Sequence, residues 1–76
     1  MTVRRSLVGM EWLQRRMTEL GMSSLEEAAQ ACGINRGTLH RYFSFEQRPS
    51  IDQLPALCKG FNSPPLEVLR ALKIQV

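Results

Sequence analysis

Ala28-Ala29-Gln30-Ala31-Cys32-Gly33-Ile34-Asn35-Arg36-Gly37-Thr38-Leu39-His40-Arg41-Tyr42 carries two helical patterns with only Gly33 and Ile34 between the end of one and the cap of the next. Gly33 can take the left-handed backbone that so short a link requires, because it has no Cβ to clash. Ala29 stands four residues earlier, where a larger side chain would push the two helices apart. Ile34 points back into the space beneath, and Leu39 reaches the same core one turn later. Asn35 has a side-chain oxygen suited to cap the second helix, Arg36 to about Phe43, whose buried face is Leu39 with Tyr42 or Phe43. Together these features predict a helix-turn-helix over about residues 24–43.

Working outward, Met10, Leu13, Met17 and Leu20 step by three, four and three, which marks one face of a first helix that Gly21 ends. Ser23 and Ser24 each precede a Glu by three residues, so either can open the second helix with a capping box. Its inward face is Leu25, Ala28, Ala29 and Cys32. Ser44 to Ser50 reads as a loop. Ser50, with Gln53 three residues on, is expected to cap a fourth helix whose apolar face is Ile51, Leu54, Leu57, Cys58 and Phe61, with Pro55 distorting its first turn. Asn62-Ser63-Pro64-Pro65 then breaks the chain, and Ser63 is expected to cap a fifth helix with Leu66, Leu69 and Leu72 inward. No segment alternates as a strand does. The expected fold is all-α, five short helices in one domain over residues 1–76, with a short N-terminal arm over residues 1–6.

Composition narrows the function. The 76 residues are 43% hydrophobic and 22% charged, the proportions of a folding unit with little room for a deep catalytic pocket. Ten Lys and Arg against seven Asp and Glu leave a net charge of +3, which suits an anionic partner. Cys32, Cys58 and the one histidine, His40, lie at no metal-ligand spacing, so neither a metal nor a cofactor is expected, and the cysteines read as reduced core residues. No paired carboxylates, phosphate loop or nucleophile with a positioned base is present, so no enzyme is expected. Trp12 reads as a partly buried core residue. Arg4-Arg5 is followed too soon by Glu11 to begin an export signal, and no apolar run approaches membrane length, so a cytoplasmic protein with no membrane contact is expected.

The run from Ala28 to Tyr42, followed by Glu46-Gln47-Arg48-Pro49-Ser50, Leu54, Leu57-Cys58, Phe61 and Leu66, resembles the lambda-repressor and Cro type of helix-turn-helix, the XRE family, over roughly residues 10–72. The resemblance implies a five-helix, lambda-repressor-like domain and a bacterial or phage DNA-binding regulator. The chain departs from the family in several places, one of them an extra residue between Gly21 and the second helix. Leu25 stands where the family often has a Gln used against a phosphate, so that contact is not carried over. Gly37 replaces a side chain that often reaches a base or phosphate, leaving that contact missing or made by backbone alone. Phe45 replaces a usual Gly, either as a packing residue or as an exposed apolar spot.

On a third helix that buries Leu39 and Tyr42, the outward residues are Asn35, Arg36, Gly37, His40, Arg41 and Ser44. Arg36 can make a bidentate contact to guanine, and His40 and Arg41 can reach base edges or phosphates. Asn35, Thr38 and Ser44 suit phosphate oxygens. Arg48 adds charge in the following loop, while Ser24 and the arm residues Arg4 and Arg5 are candidate backbone contacts. The alternative for each is a solvated helix face, or a solvated tail for the arm. Glu19, Glu26 and Glu27 concentrate negative charge in residues 17–34, so the cationic groups gather on the third helix, its loop and the N-terminus. These readings imply a sequence-specific transcriptional regulator of double-stranded DNA that uses no small-molecule ligand and binds as a homodimer. Val68, Ile74 and Val76, on the fifth helix and tail, are the expected contact surface for the second copy, the alternative being that Ile74 and Val76 fold back on the first helix. The rivals are a protein-interaction module on the same fold and an antitoxin-like component.

Overall fold

Residues 7–74 are described by the computed structural model, and among them the chain forms five α-helices, one 3-10 turn and no strand. The helices are α1 Gly9–Glu19, α2 Leu25–Cys32, α3 Arg36–Phe43, α4 Leu54–Gly60 and α5 Pro65–Ala71, and the 3-10 turn Ile51–Gln53 leads into α4. The all-α expectation is met.

The caps of α2 and α3 lie where expected. Ser24 accepts a hydrogen bond from the Glu27 N–H at 3.2 Å, and Asn35 Oδ1 accepts one from the Gly37 N–H at 2.7 Å. Glu27 does not close the reciprocal half of the box on Ser24. Its carboxylate instead accepts from the Ser23 hydroxyl at 2.6 Å, so the two serines divide the work. Gly33 ends α2 in the left-handed conformation at φ 69°, and the Ile34 N–H returns to the Ala29 carbonyl at 3.0 Å. That bond reverses the chain into α3 within two residues.

The second half departs from expectation at both helix starts. Ser50 caps nothing with its side chain, and Ile51 is 83% exposed instead of inward. Pro55 is the cause: an α-helix beginning at Ile51 needs the fifth residue's N–H for the Ile51 carbonyl, and proline has none. The chain tightens instead, with Leu54 N–H on that carbonyl, and α4 begins only at Leu54. Ser63 likewise does not cap α5. Its hydroxyl turns back to the Phe61 carbonyl at 2.9 Å, and Pro64 occupies the cap position. A capping Ser63 would bond to the N–H groups two or three residues on, and the first of these belongs to Pro65, which lacks one. The inward face of α5 is Val68, Ala71 and Leu72, with Leu69 half-buried and Leu66 46% exposed. Two successive steps of three rotate a stripe by about 60° each around a helix, so Leu66, Leu69 and Leu72 cannot all face one core.

α2 packs on both α3 and α4, and α1 packs on α3 and α5. The core holds Leu13, Ala28, Ala29, Leu39, Phe43, Leu57, Phe61 and Val68 with essentially no exposure. Trp12, Phe43 and Phe61 form an aromatic trio at 5.5–5.8 Å between centroids, one pair stacked and two edge-on. At the α2–α4 crossing, a Cβ on Gly60 would stand 2.8 Å from Cys32 Cα and 2.9 Å from Cys32 N, so only glycine permits this backbone contact. Both cysteines are free, and burial pushes the Cys32 thiol up to about 11, which keeps it protonated and inert.

Candidate nucleic-acid interface

α3 is amphipathic in the sense a recognition helix requires. Leu39, Tyr42 and Phe43 are buried beneath it, while Asn35, Arg36, His40 and Arg41 are exposed and Gly37, Thr38 and Ser44 are half-covered. α2 braces it through the Gly33 turn, so the outward groups are carried by an element that cannot easily rotate.

Several of these groups are held in place. The Arg41 guanidinium donates to Gln47 Oε1 at 3.1 Å and to Thr38 Oγ1 at 3.2 Å, which aims it along the helix toward the loop. The Ser44 hydroxyl donates to Glu46 Oε2 at 2.7 Å. Arg36 Nε lies 4.0 Å from Glu26 Oε1 at the start of α2, with both side chains mostly exposed. A pair this exposed contributes at most about 1 kcal/mol and gives way easily to a stronger acceptor. Gly37 has its N–H committed to Asn35 Oδ1, so the backbone donor that could replace its missing side chain is already used.

The structure brings Arg36, Gly37, His40 and Arg41 together around one open recess of about 490 Å³, completed by Leu25 and Glu46. It does not bring Arg48 there. Arg48 lines a separate recess of about 250 Å³ beside Phe45, Pro49 and Lys73. Ser24 sits at the head of α2 as its cap, and Arg4 and Arg5 lie outside the described residues. Phe45 takes φ 66°, the left-handed backbone for which glycine is the usual choice, and is 48% exposed with Lys73 Nζ 5.2 Å from its ring centroid. It is both a packing residue and an exposed apolar group. Glu26, Gln47 and Leu25 were not among the expected site residues. Glu26 and Arg36 are ten residues apart on different helices, and no local spacing announces such a pair. Among the described residues no cluster of side chains could hold a metal ion, and no helix is long and apolar enough to cross a membrane.

The fold and this exposed, braced helix define a DNA-binding helix-turn-helix. A family model described as helix-turn-helix matches residues 13–68, most of the chain. The protein belongs to that family, of the XRE and lambda-repressor type. No curated protein and no solved structure matches it.

Proposed function

We propose that the protein is a sequence-specific transcription regulator of bacterial or phage type that lays α3 in the major groove of double-stranded DNA. The observation that carries this reading is the cationic, exposed face of α3 (Arg36, His40, Arg41) set opposite a buried Leu39-Tyr42-Phe43 face and braced by α2. Arg36, at the first position of the helix, reads guanine once its weak pairing with Glu26 is exchanged for O6 and N7. Arg41, held by Gln47 and Thr38, and the loop residue Arg48 neutralise phosphates, while Asn35, Thr38 and Ser24 donate to phosphate oxygens and Ser44 does so once its hydroxyl leaves Glu46. His40 meets a base edge or a neighbouring phosphate. No cofactor or small-molecule ligand takes part.

Two turns of helix contact only a few base pairs, so two copies on half-sites about one helical turn apart supply the information that a specific site needs. The surface expected for that dimer requires revision. Val68 is fully buried, Ile74 is half-buried against the core, and Val76 lies outside the described residues.

Titrating a duplex enriched from random DNA at two salt concentrations tests the reading. Affinity should fall as salt rises, and Arg36→Ala should weaken the preferred site by ~1 to 3 kcal/mol while relaxing discrimination at one base pair. Equal loss on every sequence demotes Arg36 to a phosphate contact. Failure to enrich any duplex favours the interaction module instead, a reading supported by the carboxylates of Glu26 and Glu46 beside α3 and by exposed Leu66.

A further inference from the structure

The recess at the head of α3 has an unusual lining for a surface that meets a polyanion. Of its six residues, Leu25 contributes an aliphatic side chain and Gly37 contributes no side chain at all, while Arg36, His40 and Arg41 supply cationic or polar groups and Glu46 a carboxylate. An aliphatic side chain and a position without one thus lie together in a single opening. A side chain at Gly37 would enter it, since a Cβ there already stands 3.1 Å from Asn35 Oδ1 and 3.4 Å from Arg41 Nη1.

A phosphate is a poor occupant, because Glu46 lines the recess and Glu26 lies beside Arg36, at 4.0 Å from its Nε. Gly37 also offers no free backbone donor to hold one. A base edge is neutral and fits better. Among the groups a base pair presents in the major groove, the thymine C5 methyl alone is apolar and seeks an aliphatic partner. The geometry points to the Leu25–Gly37 recess as a thymine-methyl subsite, flanked by Arg36 for the neighbouring guanine. This inference rests on the DNA-binding reading of α3 and adds a second determinant of sequence, supplied by α2.

The subsite explains how the departures at positions 25 and 37 are compatible with specific binding. Leu25 is half-buried, packed against the core on one side and open to the recess on the other. Its side chain is therefore ordered before DNA arrives, and covering a methyl with it requires little further immobilisation.

The test uses the full chain and its enriched duplex, with each thymine replaced singly by uracil, which differs only by the methyl. At one position per half-site, uracil should weaken wild-type binding about four-fold, the worth of one buried methyl-sized group. Leu25→Ala should bind the thymine and uracil duplexes equally, with Arg36 discrimination intact and circular dichroism reporting a folded protein. At the same position, 5-methylcytosine should bind about four-fold tighter than cytosine. Uracil tolerated at every position by a wild-type protein that still binds its site overturns the subsite and leaves the DNA-binding reading standing. A thymine preference retained in full by Leu25→Ala also overturns it. A protein that enriches no duplex removes the parent reading and the subsite with it.

Discussion

The α2–α3 half of the molecule and the α4–α5 half are each two short helices joined by a tight link, yet they are held by opposite means. α2 and α3 are capped from within by Ser24, Asn35 and the left-handed Gly33, all inside a dozen residues. α4 and α5 open on prolines without side-chain caps, and their junction is tied from far along the chain. Arg16 on α1 donates from Nε to the Phe61 carbonyl and from Nη2 to the Asn62 carbonyl, both at 2.8 Å, and Trp12 Nε1 approaches Glu67 at 3.4 Å. Local capping leaves the outer face of α3 free for a partner. Remote capping uses α1 as a strap and commits Arg16 and Trp12 to the fold.

The contrast breaks most sharply at Gly60, where the halves touch. Gly60→Val should destabilise the protein by about 3 kcal/mol, because the new Cβ meets backbone atoms of Cys32 that cannot swing away. Adding Cys32→Ala should not rescue it, since Cα and N remain. A melting temperature matching wild type would show that α2 and α4 do not cross there. Arg16→Ala comes next, at about 2 kcal/mol, because the Asn62 carbonyl loses its side-chain donor and Phe61 keeps only Ser63. Arg16→Lys should recover part of this, as one ammonium cannot reproduce two directed bonds. If Arg16→Ala melts like wild type, the strap has no energetic role.

The same contrast explains what could be read from the residues alone. Ser24, Gly33 and Asn35 announce themselves because each acts on a neighbour two to four positions away, and the helix-turn-helix and the outward face of α3 follow from them. Ser50 and Ser63 read equally well as caps, but Pro55 denies the Ile51 carbonyl its helical donor and Pro65 denies Ser63 one of its two capping donors. The α5 stripe failed because Val68 and Ala71, not the more conspicuous Leu66, lie within one turn of Leu72. Arg16 gave no sign of its role, for its acceptors are backbone carbonyls more than forty residues on. The site was partly legible: its cationic residues were visible on α3, whereas the recess needed α2 and α3 placed side by side.

Smaller effects sharpen the self-capped half. Asn35→Ala removes the oxygen that receives the Gly37 N–H and should cost about 1 kcal/mol, with Ser24→Ala similar. Gly33→Ala should also cost about 1 kcal/mol, entirely through its φ of 69°, since nothing lies within 4 Å of a Cβ built there. Gly33→Asn, which tolerates that conformation, should be milder. Denaturant midpoints compare the four variants, and an Asn35→Ala protein as stable as wild type would mean that α3 does not depend on its cap.

The smallest effect at neutral pH belongs to Cys32, where α2 meets Gly60, because its thiol makes stability depend on pH only in alkaline solution. Burial disfavours its thiolate and raises the thiol from 9.0 to about 11, whereas half-buried Cys58 is raised by burial with a backbone hydrogen bond opposing the shift. A thiol held protonated by the fold contributes stability that is fully present below its unfolded value and is lost as pH rises through the folded one. The contribution is therefore constant at neutral pH, falls by a few tenths of a kcal/mol near pH 9, and disappears as pH passes about 11. Tyrosine and lysine titrate in the same range, so the informative quantity is the difference in alkaline slope between wild type and Cys32→Ala. The wild-type slope should be steeper. A thiol reagent at about pH 8 gives an independent reading: Cys58 should be modified first, and Cys32 only as fast as the α2–α4 contact opens. Equal rates at the two cysteines would mean that the contact opens readily, and the two halves would then be joined by α1 rather than at Gly60.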